Sequence, residues 1–302
     1  MPSLQVSFGS DARDTLCAAF EHAQRSIRAE FFDLSDRQVI KSINAASRRQ
    51  LDVELHIEER PHRFRHTRDA AERDAKAIAA LRSALDPGVH LVLENDPQVL
   101  MHCKAAVVDD SQALISTGNP TWSGFKDDGE VLVSTQDPDD IADVNASIAG
   151  QPVCGDRVIA GPNAALRLQL QRLFQSSSNL CIASEDLSDP RIVSDLCARN
   201  AAGHHDRVLI SGKGMSRPQQ DAAGRLQGLG VDLRATTGAY MHEKFVDDGN
   251  EIYVGSANLT HNGIDEGREI GVVAPASAFG DDALRLKKRF DEMWSSAKPL
   301  SV

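Results

Sequence analysis

Apolar positions along this chain switch repeatedly between a two-residue and a helical period. The pattern predicts strands over 4–8, 27–33, 51–58, 89–93, 105–108, 113–116 and 131–134. Between them it predicts helices over 11–25, with Leu16, Ala19, Phe20 and Ala23 on one face, over 36–49, and over 68–85 up to the stop at Asp86-Pro87-Gly88. A connecting helix over 138–150 and a join over 151–156 follow. The order then starts again: strand 157–160, helix 163–175, strand 179–184, helix 190–201, strand 207–210, helix 217–227 and strand 231–234. A helix over 277–296, with Phe279, Ala283, Leu286, Phe290 and Met293 at helical spacing, closes the chain. Strands alternating with helices in each half predict an α/β fold with mixed sheets.

The second half repeats the first in detail. Met101-His102-Cys103-Lys104 and Met241-His242-Glu243-Lys244 open matching segments that run through Asp109 to Asn119 and Glu130, and through Asp248 to Asn258 and Glu269. Asp to Asn is ten residues and Asn to Glu eleven in both copies. Thr121 matches Thr260, and Gly124 matches Gly263. Upstream, Ala29-Glu30-Phe31-Phe32-Asp33-Leu34-Ser35-Asp36 mirrors Ile182-Ala183-Ser184-Glu185-Asp186-Leu187-Ser188-Asp189. Each half is therefore expected to be a full domain, 1–150 and 151–302, and the doubled motif predicts one composite site.

Composition narrows the class. The 302 residues suit two medium domains, and 41% hydrophobic with 25% charged residues is ordinary for a globular protein. No apolar run approaches the roughly 20 residues that cross a bilayer, and no secretory signal opens the chain, so a cytoplasmic location is expected. Five cysteines without a CxxC spacing read as reduced thiols, not as disulfides or zinc ligands. A net charge of −11 argues against broad, salt-driven adhesion to nucleic acid or anionic lipid.

His, Lys, Asn and Glu projecting together suit a phosphodiester substrate. A neutral imidazole can attack phosphorus while a second, protonated one supplies the departing oxygen with its proton. Lysines and side-chain amides hold the non-bridging oxygens, and a Glu on the far ring nitrogen fixes the tautomer. In a strand, residues i and i+2 share a face, so His102 lies with Lys104 and His242 with Lys244, while Cys103 faces away.

The pattern HxK(x)4D followed by Gly-Ser-x-Asn resembles the signature of the phospholipase D superfamily, and both halves are similar to its repeats. His102, Lys104 and Asp109 fit in full, with Ser116-Thr117 in place of Gly-Ser. Gly255-Ser256-Ala257-Asn258 fits in the second copy, which has one residue fewer between Lys244 and Asp248. The resemblance implies two pseudo-twofold related α/β/α domains with the active site at their interface, a phosphohistidine intermediate, and no metal or organic cofactor. It implies His102 and His242 as nucleophile and general acid, with His102 the expected nucleophile. It further implies Lys104, Lys244, Asn119 and Asn258 on the phosphate, Glu130 and Glu269 orienting the histidines, Thr117 and Ser256 as added hydroxyl donors, and largely structural roles for Asp109 and Asp248. Trp122 reads either as a pocket wall beside Asn119 or as a packed aromatic.

Other features carry less. The run Arg60-Pro61-His62-Arg63-Phe64-Arg65-His66-Thr67-Arg68 reads as a solvated loop or a substrate-gripping rim. His204-His205 reads as a solvated loop, and Gly212-Lys213-Gly214 lacks the spacing of a phosphate loop. Three functions remain: hydrolysis or phosphatidyl transfer on a glycerophospholipid, with peripheral contact to a membrane surface; a nuclease of the same superfamily cutting DNA or RNA; and a catalytically silent scaffold. Two intact His/Lys/Asn sets argue against the scaffold. Both halves of the site lie in one chain, so a monomer is expected.

Overall fold

The computed structural model describes residues 3–62, 69–162, 164–238 and 240–300. The first half builds a seven-stranded sheet from β1 (Leu4–Phe8), β2 (Ser26–Phe31), β3 (Asp52–Glu58), β4 (His90–Glu94), β5 (Lys104–Val108), β6 (Gln112–Ser116) and β7 (Val131–Thr135), in the order β1-β7-β6-β5-β2-β3-β4. The second half builds nine strands: β8 (Val153–Cys154), β9 (Val158–Ala160), β10 (Cys181–Ser184), β11 (Arg207–Ile210), β12 (Asp232–Ala235), β13 (Lys244–Asp247), β14 (Glu251–Gly255), β15 (Ile270–Pro275) and β16 (Lys298–Pro299). Their order is β16-β12-β11-β10-β13-β14-β15-β9-β8. Without the edge strands β16 and β8, this is the first order with every strand replaced by its repeat partner. In each half three strands run parallel, as helical crossovers require, and the rest pair antiparallel.

Central strands read as unbroken apolar runs because both faces are covered. Ala106, Val108, Leu114 and Leu132 point outward into a core shared with the helices Gly9–His22 and Arg37–Arg48. Ala105, Val107, Ile115 and Val133 point the other way, into one core that also takes Ala183, Phe245, Val254 and Val272 of the second sheet. The two sheets thus share an inner core, walled by helices Pro138–Ile148 and Asp281–Ser296 through Val144, Leu286 and Phe290.

The repeat extends to capping. Asp36 accepts from the amides of Gln38 and Val39, and Asp189 from those of Arg191 and Ile192, starting the helices that follow β2 and its repeat partner β10. The predicted closing helix is broken at Gly280, whose φ of +57° separates Ala276–Phe279 from Asp281–Ser296. The join over 151–156 contains β8, and neither that short strand nor β16 shows a period in the sequence. The predicted helix starts at 68 and 163 lie outside the described residues, as do Arg63 to Arg68 of the basic run.

Two clamps join the halves beside the histidines. At one, the main chain itself bridges: His102 N donates to Arg268 O at 2.8 Å and Arg268 N to Leu100 O at 2.9 Å. The Arg268 guanidinium reaches on to Glu30 at 2.7 Å, a fully buried carboxylate that also accepts from Ser147. At the other clamp a side chain replaces the main chain. Arg289 of the last helix donates to Gly129 O at 2.8 Å and to Glu243 at 2.5 Å. Gly129 has φ +70°, and a Cβ there would lie 2.2 Å from Arg289 Nη2, so only glycine suits the position. Burial pushes the Glu243 carboxyl up to about 7 even with Arg289 beside it.

Arg268→Ala leaves Glu30 buried without its cation and is expected to cost about 3 kcal/mol of stability, measured by urea denaturation; a loss below ~1 kcal/mol contradicts the clamp. Glu243 makes a pH-dependent contribution. Its folded pKa lies above the unfolded value, so between pH 4.5 and about 7 the native state binds more protons and stability falls as pH rises. Glu243→Gln is expected to flatten that part of the wild-type stability profile in melts taken across the range.

Candidate active site

Each motif histidine sits just ahead of a central strand, because β5 and β13 begin at the lysines. The lysines are fully buried, and each Nζ donates to the carbonyl of its own histidine, Lys104 to His102 at 2.5 Å and Lys244 to His242 at 2.7 Å. The two-residue spacing therefore builds a closed local unit. Cys103 faces the other way, into the inner core, with Sγ 3.2 Å from Arg268 O.

The glutamates cross over between halves. His102 Nδ1 lies 2.8 Å from Glu269 Oε1, and His242 Nδ1 lies 3.1 Å from Glu130 Oε1. Each histidine is thus oriented by the other copy's carboxylate, so neither half holds a complete site. Thr117 and Ser256, expected as hydroxyl donors to substrate, spend their protons on these same carboxylates: Thr117 donates to Glu130 at 2.8 Å and Ser256 to Glu269. Each also accepts the amide at the start of the following strand, from Val131 and Ile270. Their role is to fix the glutamates.

The asparagines are set by matching loops. Asp33 N donates to Asn119 Oδ1 at 3.2 Å and Asp186 N to Asn258 Oδ1 at 3.4 Å. With the oxygen so engaged, the amide nitrogen is the end left to donate, and Asn258 Nδ2 lies 3.2 Å from Glu185. The Thr-x-x-Gly match follows from a wide helical turn after each Asn, over Gly124–Asp128 and Asn262–Glu266. Thr121 and Thr260 accept the Gly124 and Gly263 amides, and a Cβ at either glycine would meet the Asn carbonyl at 2.7 or 2.6 Å.

Asp109 and Asp248, counted as weaker binding candidates, stand in the β5–β6 and β13–β14 hairpins at the far end of the strands. Asp109 accepts the amides of Gln24, Arg25 and Ser26; Asp248 accepts those of Asn250 and Glu251. The one-residue deletion is absorbed there as well. Strand pairing from the lysines onward is the same in both halves, and only the hairpin differs, closing on Val108 and Gln112 in one and Asp247 and Ile252 in the other. Trp122 is neither packed nor enclosed: it is 58% exposed, with Lys126 Nζ 4.3 Å from its ring centroid.

The charges are uneven. Burial holds the His102 imidazole below its ordinary value, with Glu269 opposing and Lys104 and Lys244 reinforcing. Burial would raise Glu269, but His102, Lys104 and Ser256 bring it below the usual carboxylate range. The pair is a neutral imidazole on a carboxylate. Burial also brings Lys104 down to about 7. On the other side a residue that the motif reading did not single out enters the site: Glu185 Oε2 lies 2.8 Å from Lys244 Nζ and 3.1 Å from His242 Nε2. Its only signal in the sequence was a mismatch in the repeat, where it stands opposite Phe32.

Other candidates are accounted for elsewhere. His62 pairs with Asp74 at 2.6 Å, and Arg60 donates to Asn95 O beside a cleft of about 650 Å³ lined by Glu59, Asp74 and Arg82 and by none of the motif residues. His204 lies 3.5 Å from Arg199, and His205 N donates to Asn179. Among the described residues, Asp189, His261 and Asp265 bring ligand-type atoms together, but Arg167 already bridges the two carboxylates at 2.7 and 2.6 Å. All five cysteines are free thiols, and no helix among the described residues is long and apolar enough to cross a membrane.

A family model described as "Cardiolipin synthase, PLD-like domain" matches residues 16–150 and again 170–294. No curated protein gives a significant match to the sequence. Among solved structures, phosphatidylserine synthase of Haemophilus influenzae Rd KW20 superposes with a TM-score of 0.73 at 12% identity, over 99% of this chain and 87% of that one. Polyphosphate kinase of Porphyromonas gingivalis gives 0.66 at 15% identity over 95% of this chain, which spans 50% of the kinase's length. The phospholipase D family member Nuc of Salmonella typhimurium gives 0.40 at 23% identity, covering 50% of this chain and 94% of that one. At these identities the likeness is one of fold. The family model, by contrast, covers most of the sequence in two segments, one per half, and the chain belongs to the phospholipase D superfamily.

Proposed function

We propose that this chain is a metal-independent phosphodiesterase that works through a phosphohistidine, with a glycerophospholipid as substrate and hydrolysis or phosphatidyl transfer as the reaction. The crossed His–Glu pairs carry this reading. With Nδ1–H of His102 donated to Glu269, the Nε2 lone pair is free to attack phosphorus. The N–P bond forms as the bond to the leaving oxygen breaks, and that oxygen takes the proton from His242 Nε2. Water or an alcohol then attacks phosphorus, gives its proton back to His242, and the N–P bond breaks. Lys104, Lys244, Asn119 and Asn258 supply the donors for the non-bridging oxygens. The lysines are fully buried and all four donors are already in place, which suits a developing charge.

A lipid substrate is supported by the family model's description and by the phosphatidylserine synthase likeness, and the net charge of −11 counts against a polyanionic one. A monomer acting at a membrane surface completes the proposal, since one chain contributes both halves of the site.

His102→Ala and His242→Ala are each expected to lower kcat on the order of a thousandfold or more, assayed in EDTA on mixed phospholipid vesicles and on single-stranded and duplex DNA. Only His242→Ala is expected to accumulate the covalent phosphatidyl adduct on His102, read by mass spectrometry with a substrate that has a good leaving group. Because His102 lies below its ordinary 6.5, the acid limb of kcat/KM is expected below that pH. Near-normal turnover in either variant sinks the composite site; DNA cleavage without lipid turnover replaces the substrate class.

Gly118 offers a second check, since a Cβ there would lie 1.5 Å from the Glu130 carboxyl carbon. Gly118→Ala is expected to push Glu130 off His242 and cost roughly 100-fold in kcat, the scale at which a misplaced catalytic group loses activity. Thermal melts alongside the kinetics separate this from unfolding.

A further inference from the structure

The pseudo-twofold symmetry of the site breaks at one position. After β2 the chain presents Phe32, whose ring meets His102 edge-on at 4.8 Å, with Lys104 Nζ 5.3 Å from its centroid. After β10 the matching residue is Glu185. One oxygen of its carboxylate lies 2.8 Å from Lys244 Nζ, 3.1 Å from His242 Nε2 and 3.2 Å from Asn258 Nδ2. The other oxygen accepts from the Tyr240 hydroxyl. The three donors gathered on a single carboxylate oxygen are the ones that the proposed reaction assigns to the phosphoryl group and its leaving oxygen. The backbone behind it is pinned, since Gln219 Nε2 donates to Glu185 O at 2.8 Å.

We propose that Glu185 is an internal anion standing in for phosphate in the second half of the site. The entering phosphate must displace it there, and while in place it keeps the Nε2 proton on His242, so that His242 is the acid and His102 the nucleophile. This rests on the phosphodiesterase reading for its catalytic meaning, though not for its geometry. Both nitrogens of His242 face carboxylate oxygens, Glu130 on one side and Glu185 on the other, and a ring donating to both carries the second proton. Among the described residues His102 has one carboxylate and an aromatic edge in place of the second, which leaves its Nε2 available as a lone pair. Burial alone would raise Glu185, but Lys244 and His242 hold it well below the usual carboxylate range, so the stand-in stays charged through neutral pH. In the reaction the displaced carboxylate neither forms nor breaks a covalent bond. The proton it guarded passes from His242 Nε2 to the leaving oxygen and returns from the water or alcohol.

The groups facing His242 are Glu130, Glu185, Lys244 and Tyr240, the last with its ring centroid 6.0 Å away, and Glu243 precedes Lys244 on the same segment. The test is calorimetric binding of inorganic phosphate to wild type, Glu185→Gln and Tyr240→Phe, with nitrogen NMR of the histidine rings across pH. Glu185→Gln is expected to bind phosphate about tenfold tighter and to change the nitrogen signal of His242 Nε2, which loses its carboxylate partner. Tyr240→Phe, which loosens the carboxylate without removing a phosphate donor, is expected to tighten phosphate by a smaller factor, and covers the case in which Glu185→Gln fails to fold. Phosphate binding unchanged or weaker in both variants would overturn the proposal and reduce Glu185 to a residue that positions Lys244. Neither readout needs turnover. Phosphohistidine formation with unchanged phosphate affinity removes the stand-in and leaves the phosphodiesterase; tighter phosphate without turnover on any diester does the reverse.

Discussion

The site depends on one short stretch of main chain, where Arg268 pairs with the segment just ahead of His102. That pairing brings Glu269, the next residue, onto the ring of the other half's histidine. Without it Glu269 would not reach across, and His102 would lack its partner on Nδ1. The crossing makes the two domains interdependent: the oriented imidazole exists only when both sheets are docked on their common core. It also ties the chemistry to stability, because Glu30 and Arg268 are buried ions that hold the junction and would be costly if either stood alone.

Much of this was legible in the sequence as repetition. The alternation of periods located the seven strands of the first half and four of their counterparts in the second, and the spacing from His to Lys to Asn to Glu identified residues that the fold brings together. The repeats agree because the same small set of backbone problems is solved twice: an Asp caps the helix after β2 or β10, an Asn side chain locks the loop before it, and a Thr and a Gly close the turn that follows the Asn. Each of these is a local constraint between residues whose separation is fixed in the repeat, so spacing alone is enough to show it.

The remainder was hidden for a related reason. Aligning two copies exposes what they share and passes over what they do not. Position by position, the residues that break the symmetry are mismatches: Phe32 against Glu185, Cys103 against Glu243, Gly129 against Arg268. These pairs decide where the buried charges sit, which junction is bridged by main chain and which by Arg289, and which histidine meets a second carboxylate. The crossing of the glutamates was invisible for a second reason. A residue 167 positions away in the chain carries no periodic signal, and spacing alone does not say which histidine each Glu meets.

Two identical half-sites would not by themselves say which histidine attacks and which gives the proton. The proposed first step needs one imidazole with a free lone pair and one with a proton to give, and identical surroundings would supply that only by sharing one proton between the two rings. The protein separates them by small, unequal additions to a common frame. On one side a neutral ring rests on one carboxylate, lowered by burial and the neighbouring lysines, with Phe32 across its edge. On the other a ring lies between two carboxylates, beside a lysine, with an oxygen already at hydrogen-bond distance from its Nε2. The duplication supplies the donors and the geometry. The departures from it give the two histidines different partners, one carboxylate and an aromatic edge for His102 and two carboxylates for His242.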